Sequence, residues 1–147
     1  MKDSKLTEKD SKLTEDERQR VEQAFADVPF AKLLGIEVVE MERGVAVLRL
    51  DVRDELRQNN GIIHGGATAS LIDTASAFAI LTVLEPNQTT TTVDLTIHYL
   101  RPLVKGRAQA RARVLRAGRR VIVVAVDVLD EAETLAATAL TTYLRLN

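Results

Sequence analysis

Between Gln58 and Leu84 the chain reads QNNGIIHGGATASLIDTASAFAILTVL. From His64 onward about twenty consecutive residues are small or apolar, with one carboxylate, Asp73, in their midst. A run this long, entered through a glycine-containing loop and left at Pro86 and Asn87, predicts one buried helix over 64–84. That helix constrains the rest of the chain. After Gly35 the apolar residues recur at every second position, the period of strands. An antiparallel sheet with one apolar face needs a cover, and 64–84 is the long apolar helix available to it.

The strands are read from the same periodicity. IEVVEMERG and VAVLRLDVR meet at Arg43 and Gly44 as a hairpin. Thr90 to Arg101 alternates, with Val93, Leu95, Ile97 and Tyr99 on one side and Thr92, Asp94, Thr96 and His98 on the other. Gly106 to Leu115 sets Arg107, Gln109, Arg111 and Arg113 against Ala108, Ala110, Ala112 and Val114. Arg119 to Leu129 is nearly all apolar, which predicts a strand covered on both faces. Glu133 to Leu146 closes the set, and the short joints at Ala117–Gly118 and Asp130–Glu131 make the neighbours antiparallel. The expected fold class is α+β, an antiparallel sheet of about five to six strands wrapped around one long central helix.

Residues 2–8, KDSKLTE, repeat without change at 9–15. One Leu per seven residues buries too little to offset the entropy of ordering, so 1–14 is expected to be a polar tail whose removal costs little. Residues 15–147 are then a single domain. Thr14 followed by Glu17 has the capping-box spacing, and Val21, Ala24 and Phe25 share a face, which predicts a helix from Glu15 to Ala26. Pro29 ends it, and Phe30 to Leu34 is room for one further turn.

Composition excludes several classes of function. A formal net charge of -1 argues against a nucleic-acid-coating surface. With no Cys and only His64 and His98, neither disulfides nor thiolate or histidine metal centres are expected. No run has the roughly 18 uncharged apolar residues of a membrane span, and the N-terminus lacks the apolar core of a secretion signal. A soluble cytoplasmic protein, without membrane or nucleic-acid partners, is the expectation.

The chemistry is concentrated around the central helix. A helix start with two glycines, Gly65 and Gly66, presents unpaired N–H groups backed by the positive end of the dipole, a place for a phosphate or for the oxyanion of an attacked carbonyl. Asp73 offers a base or nucleophile, and Gln58 can hold a water or a carbonyl. Asp73 lies eight residues beyond Gly65, roughly 12 Å along the same helix. One copy cannot bring them together, whereas two antiparallel helices can, so a symmetric dimer with shared sites is expected. Blander roles fit the same residues. Asp73 can bond a neighbouring hydroxyl or an Arg, His64 can cap the helix, the glycines can serve a tight turn, and His98 and the Arg-rich strand can be a solvated surface.

Gln58 six residues before His-Gly-Gly, with an acid nine after that His, resembles the hotdog-fold acyl-CoA thioesterases of the phenylacetate-pathway and hydroxybenzoyl-CoA branch. The likeness runs over about residues 30–146 and includes TTVDLTIHYLRPLVKG. It implies hydrolysis of a small aromatic or short- to medium-chain acyl-CoA to free acid and coenzyme A, without metal or cofactor, in a homo-oligomer built of dimers, with a tetramer as the family pattern. Asp73 matches the catalytic carboxylate, Gly65 the amide that polarises the thioester carbonyl, Gln58 a group near the thioester, and His64 the support of the loop. Thr92 falls where several members carry a Ser or Thr that orients the attacking water. Where some relatives carry a Thr one turn after the acid, this chain has Ala77. Asn59, Gly66, Arg101, Gly118, Arg119 and Arg120 match the places assigned to substrate and coenzyme A. Two other functions are open on this fold, an acyl-CoA-sensing regulatory module and an acyl-CoA dehydratase. The first would need a DNA-binding unit that the single helix expected within residues 1–29 does not provide, and the spacing around His64 argues against the second.

Overall fold

The computed structural model describes residues 8–147. The first copy of the duplicated segment, apart from Glu8, lies outside the described residues. A short α1, Glu8–Ser11, precedes α2, Glu15–Ala26. The capping box at the start of α2 is made as the spacing predicts. Thr14 Oγ1 accepts the Glu17 N–H at 3.2 Å, and Glu17 Oε2 accepts the Thr14 N–H at 2.9 Å. The expectation of a tail that packs on nothing is corrected at its C-terminal end. Leu13 is buried in the core, and the Ser11 carbonyl accepts the Arg43 N–H at 2.8 Å. Pro29 opens α3, Pro29–Leu34, which ends at Gly35 in the left-handed region, φ 71°.

Six strands follow: β1 Glu37–Glu42, β2 Val45–Asp51, β3 Thr90–Tyr99, β4 Arg107–Ala117, β5 Val121–Leu129 and β6 Leu135–Arg145. They form one antiparallel sheet in the order β1-β2-β4-β5-β6-β3. Its inner face packs on α4, Gly65–Leu81. This is the hotdog arrangement. A short 3-10 turn at Asp54–Leu56, not foreseen in the sequence, leads into the loop before α4. The helix is shorter than 64–84 because Thr82 caps it, donating to the Ala79 carbonyl at 2.6 Å and accepting the Gly44 N–H at 2.7 Å.

The core explains the close fit of helix and sheet. Ala108, Ala110 and Ala112 of β4 are buried beneath α4, flanked by Leu48 and Leu50 of β2 and by Ile122, Val124 and Val126 of β5. Small side chains on β4 let the helix approach, and the branched ones on either side fill the remaining volume. Leu71, Ile72, Ala75 and Ala79 supply the helical side of this core.

Two expectations are corrected by the register. β5 is not covered on both faces within one chain: Ile122, Val124, Val126 and Val128 are buried, whereas Val121 is 45% exposed. Strict alternation would place Thr92 outward with Asp94. A bulge between Thr92 and Asp94 shifts the register, so that Thr92 pairs with Tyr143 and Leu95 with Thr141. Thr92 therefore faces the helix, and Val93 is left exposed. An extra residue in one strand reverses the facing of everything beyond it.

Among the described residues no helix is long and apolar enough to cross a membrane. Among the described residues no group of His, Cys, Asp and Glu is placed to hold a metal ion.

Candidate active site

Asp73 sits midway along α4, half-buried, with both sheet-borne hydroxyls of this region aimed at it. Thr92 Oγ1 donates to Asp73 Oδ1 at 2.9 Å, and Tyr143 OH lies 2.6 Å from the same oxygen and 2.8 Å from the Asp73 carbonyl. Three hydroxyls on the helix itself are spent elsewhere. Ser70, Thr74 and Ser76 each donate to the carbonyl four residues back. Among the described residues Asp73 forms no ion pair with Arg or Lys. Its partners are neutral donors, and Oδ2 lies outside these bonds. Burial first, and the Asp73 hydrogen bond second, push the Tyr143 hydroxyl far above the usual tyrosine range. It stays protonated and can only act as a donor to the acid. Tyr143 was not singled out in the sequence. The available signal is that it falls in register with the inward-facing positions of β6, which reads equally as core.

A cavity of about 510 Å³ opens beside Asp73, Thr92 and Tyr143 and runs along Ala77, Leu81 and Leu84. Ala77, where some relatives carry Thr, thus forms part of its wall and supplies no hydroxyl.

The other candidate residues gather at the start of α4. His64 is the N-cap, with Nδ1 accepting the Gly66 N–H at 2.8 Å. The Ala67 N–H goes to the His64 carbonyl at 2.9 Å. None of these bonds takes the Gly65 N–H, which stands in the first turn with the helix dipole behind it. The two glycines do not serve a left-handed turn, since neither has positive φ, whereas Gly61 in the preceding loop has φ 84°. Crowding bears on Gly66, whereas a Cβ on Gly65 would make only ordinary contact. A Cβ on Gly66 would come within 2.9 Å of His64 Nδ1, and one on Gly65 would touch the Tyr99 ring at 3.4 Å. Tyr99 OH also donates to the Gly65 carbonyl at 2.8 Å, fixing the first turn against β3.

Gln58 reaches this place through a loop that is tied down. The Gln58 N–H donates to the Ile62 carbonyl at 2.9 Å, and a bridge joins Arg57 to Ile63. The Arg57 guanidinium donates to the carbonyls of Gly61 at 2.5 Å and Val104 at 2.7 Å, and to Asp54 Oδ1 at 3.1 Å. One side chain thereby joins the Gln58 loop to the segment after β3. Between them lies a second cavity of about 460 Å³, lined by Gln58, Gly65, Thr68, Tyr99, Arg101 and Leu103 among others.

The candidate residues thus fall into two groups. Asp73 and Thr92 line one cavity, Gln58, Gly65 and Arg101 line the other, and no residue is common to both. Asn59, His64 and Gly66 are exposed at the rim of the second group without lining it. Gly118, Arg119 and Arg120 form the β4–β5 turn, away from both cavities. There the Gly118 carbonyl accepts from Arg145 Nε at 3.0 Å and the two arginines are exposed.

A carboxylate with a hydroxyl beside it can take a proton from water, and a helix N-terminal amide beside a carboxamide can receive the charge of an attacked carbonyl. Comparison with known proteins agrees. A family described as the thioesterase superfamily matches residues 60–137. A medium/long-chain acyl-CoA thioesterase, YigI, of Salmonella typhimurium is 30% identical over 80% of this chain and 85% of its own length. A 1,4-dihydroxy-2-naphthoyl-CoA hydrolase of Listeria monocytogenes is 28% identical over 69% of this chain and 83% of its own. Among solved structures, the E. coli PaaI protein from the phenylacetic acid degradation operon superposes with a TM-score of 0.84, at 26% identity, covering 92% of this chain and 96% of that one.

Proposed function

We propose, from the premise that this chain belongs to the thioesterase superfamily and is a thioester hydrolase, that it cleaves acyl-CoA thioesters with Asp73 as the base and the Gly65 amide as the oxyanion donor. The observation that carries the reading is the Asp73 carboxylate, held on Oδ1 by Thr92 and Tyr143 at the edge of an apolar cavity. A water beside Asp73 loses its proton to the carboxylate as its oxygen attacks the thioester carbonyl. The charge passes to the carbonyl oxygen, where the Gly65 amide receives it and Gln58 holds the substrate. On collapse the C–S bond breaks, the sulfur leaves with the electron pair, and the proton on Asp73 returns to it as the thiol forms. Water and two carboxylate states balance the reaction, so no metal or cofactor is needed.

Both halves of that chemistry require two chains. β3 is one of the two edge strands, with Thr92 near one end and Tyr99, against Gly65, at the other. Antiparallel pairing of β3 with its own copy about residues 95–96 would set Thr92 and Asp73 of one chain opposite Tyr99 and Gly65 of its partner. The active unit is then a dimer, and pairs of dimers follow the family pattern. Arg101 in the Gly65 cavity, with the exposed Arg119 and Arg120, would meet the phosphates of coenzyme A.

The test is turnover of acyl-CoA substrates with detection of the freed thiol. Asp73→Asn, nearly isosteric, is expected to keep the fold and lose about 100-fold or more in kcat, and Gln58→Ala to lose less. A folded Asp73→Asn enzyme with undiminished kcat removes Asp73 from the chemistry. Binding of acyl-CoA without turnover by the wild type would instead favour a regulatory module.

A further inference from the structure

The cavity beside Asp73 continues past the reacting centre. Asp73, Ala77 and Leu81 lie four residues apart on one face of α4, a stripe roughly 12 Å long, and Leu84 extends it beyond the helix end. Thr92 back to Thr89 lines the opposite wall. Those three steps of extended chain span about 10 Å, so the two walls are of similar length. Ala24 of α2 and Val28 from the turn into α3 also line it.

That cover is fixed in place. The Phe25 and Phe78 rings meet edge to face with centroids 4.9 Å apart. Arg20 Nη2 donates to the Leu84 carbonyl at 2.9 Å, and Arg43 pairs with Glu17 at 2.7 Å. Three contacts from successive turns of α2 hold it on the end of α4 and on the β1–β2 turn. An occupant of the cavity therefore meets a wall with little freedom to withdraw.

We infer that Ala24 and Val28 set the longest acyl chain this enzyme accepts, by closing an apolar channel that starts at Asp73. The inference rests on the acyl-CoA hydrolase reading above. With the thioester carbonyl beside Asp73, no Lys or Arg lines this cavity for the anionic coenzyme, whereas an alkyl chain gains about 0.8 kcal/mol for each methylene removed from water. The channel length suits a straight chain of about eight to ten carbons, by the helix rise between Asp73 and Leu81. Ala24 and Ala77 carry the smallest side chains of the lining, and a larger side chain at Ala24 would take up room in the channel.

The experiment measures kcat/KM of the wild type for butanoyl-CoA and decanoyl-CoA and repeats it for Ala24→Phe and Val28→Phe, each checked for folding by its melting curve. Wild type is expected to favour decanoyl-CoA. Either variant should lower the decanoyl-to-butanoyl ratio about tenfold or more, the discrimination that a single blocked methylene can produce. The two positions block the same channel from neighbouring elements, so either folded variant is sufficient. An unchanged ratio, equal losses on both substrates, or a wild type that favours butanoyl-CoA overturns the channel while leaving the thioesterase standing. A wild type that hydrolyses neither substrate overturns the thioesterase reading and the channel with it.

Discussion

Asp73 is a carboxylate on an apolar helix, and the structure stabilises it without a cation. A guanidinium in contact with a carboxylate would make it a weaker base toward water. Hydroxyl donors hold the acid in one orientation. Tyr143 is the more constrained of the two donors, since burial and the acid beside it both push its ionisation upward. The sign of the consequence is fixed. A group raised in the folded state adds stability that is fully present below its ordinary value, about pH 10 for tyrosine, and is lost as the pH climbs beyond that. The donor is thus intact wherever the enzyme is folded, and the wild-type kcat should show no loss from tyrosine ionisation up to about pH 10. Tyr143→Phe keeps the ring in the core and removes the bond to Oδ1. It is expected to lower kcat about tenfold, in line with one hydrogen bond to a charged group, with KM little changed. An unchanged kcat in the folded variant would reduce Tyr143 to a packing residue.

Two elements decide how the candidate site is assembled, and they differ in how plainly the sequence announces them. The start of α2 is announced well, because capping depends on residues three apart: Thr14 and Glu17 make both bonds of the box. The packing of Leu13 beside them is not announced, since its partners are distant in the chain. Removing residues 1–14 takes away the cap, worth about 1 kcal/mol, and the buried Leu13, worth about 2 kcal/mol or more. The truncated chain should therefore melt about 5 °C or more below the full one, at roughly 2–4 °C per kcal/mol for a domain of this size. An unaltered melting temperature would return 1–14 to the status of a free tail. The same division between local and distant causes runs through the site. The Gln58 to Asp73 spacing and the central helix are local patterns and could be read directly. Thr92 could not be placed by alternation, because a one-residue bulge reverses its facing, and only the family resemblance brought it to the acid. Tyr143 is 70 residues from Asp73 and sits in an ordinary inward position. The both-faces reading of β5 failed because apolar residues on an outer face look the same in sequence whether or not another chain covers them.

At the scale of the molecule, a single chain carries two groups of candidate residues at different stretches of one helix and one edge strand. β3 presents ten residues at the sheet edge with no proline and one acidic residue, Asp94, to discourage pairing. Such an edge is a template for another strand, and its copy is the partner that would complete both sites. Mixing two inactive variants tests this directly. One is Asp73→Asn. The other is Gly65→Pro, which deletes the amide donor at the first helical position, where proline is tolerated. His64, at φ -65° and ψ 133°, already has the extended backbone that precedes a proline. A mixed dimer joins the good Gly65 of the first chain to the good Asp73 of the second, making one intact site, while its other site carries both lesions. Random exchange of equal amounts makes half the dimers mixed, each with one working site of two, so about a quarter of the wild-type activity should return. Each variant alone should stay inactive, and exchange can be verified with differently tagged chains. If chains that demonstrably exchange recover nothing, each site is built within one subunit, and the pairing of Gly65 with the partner's Asp73 has to be abandoned.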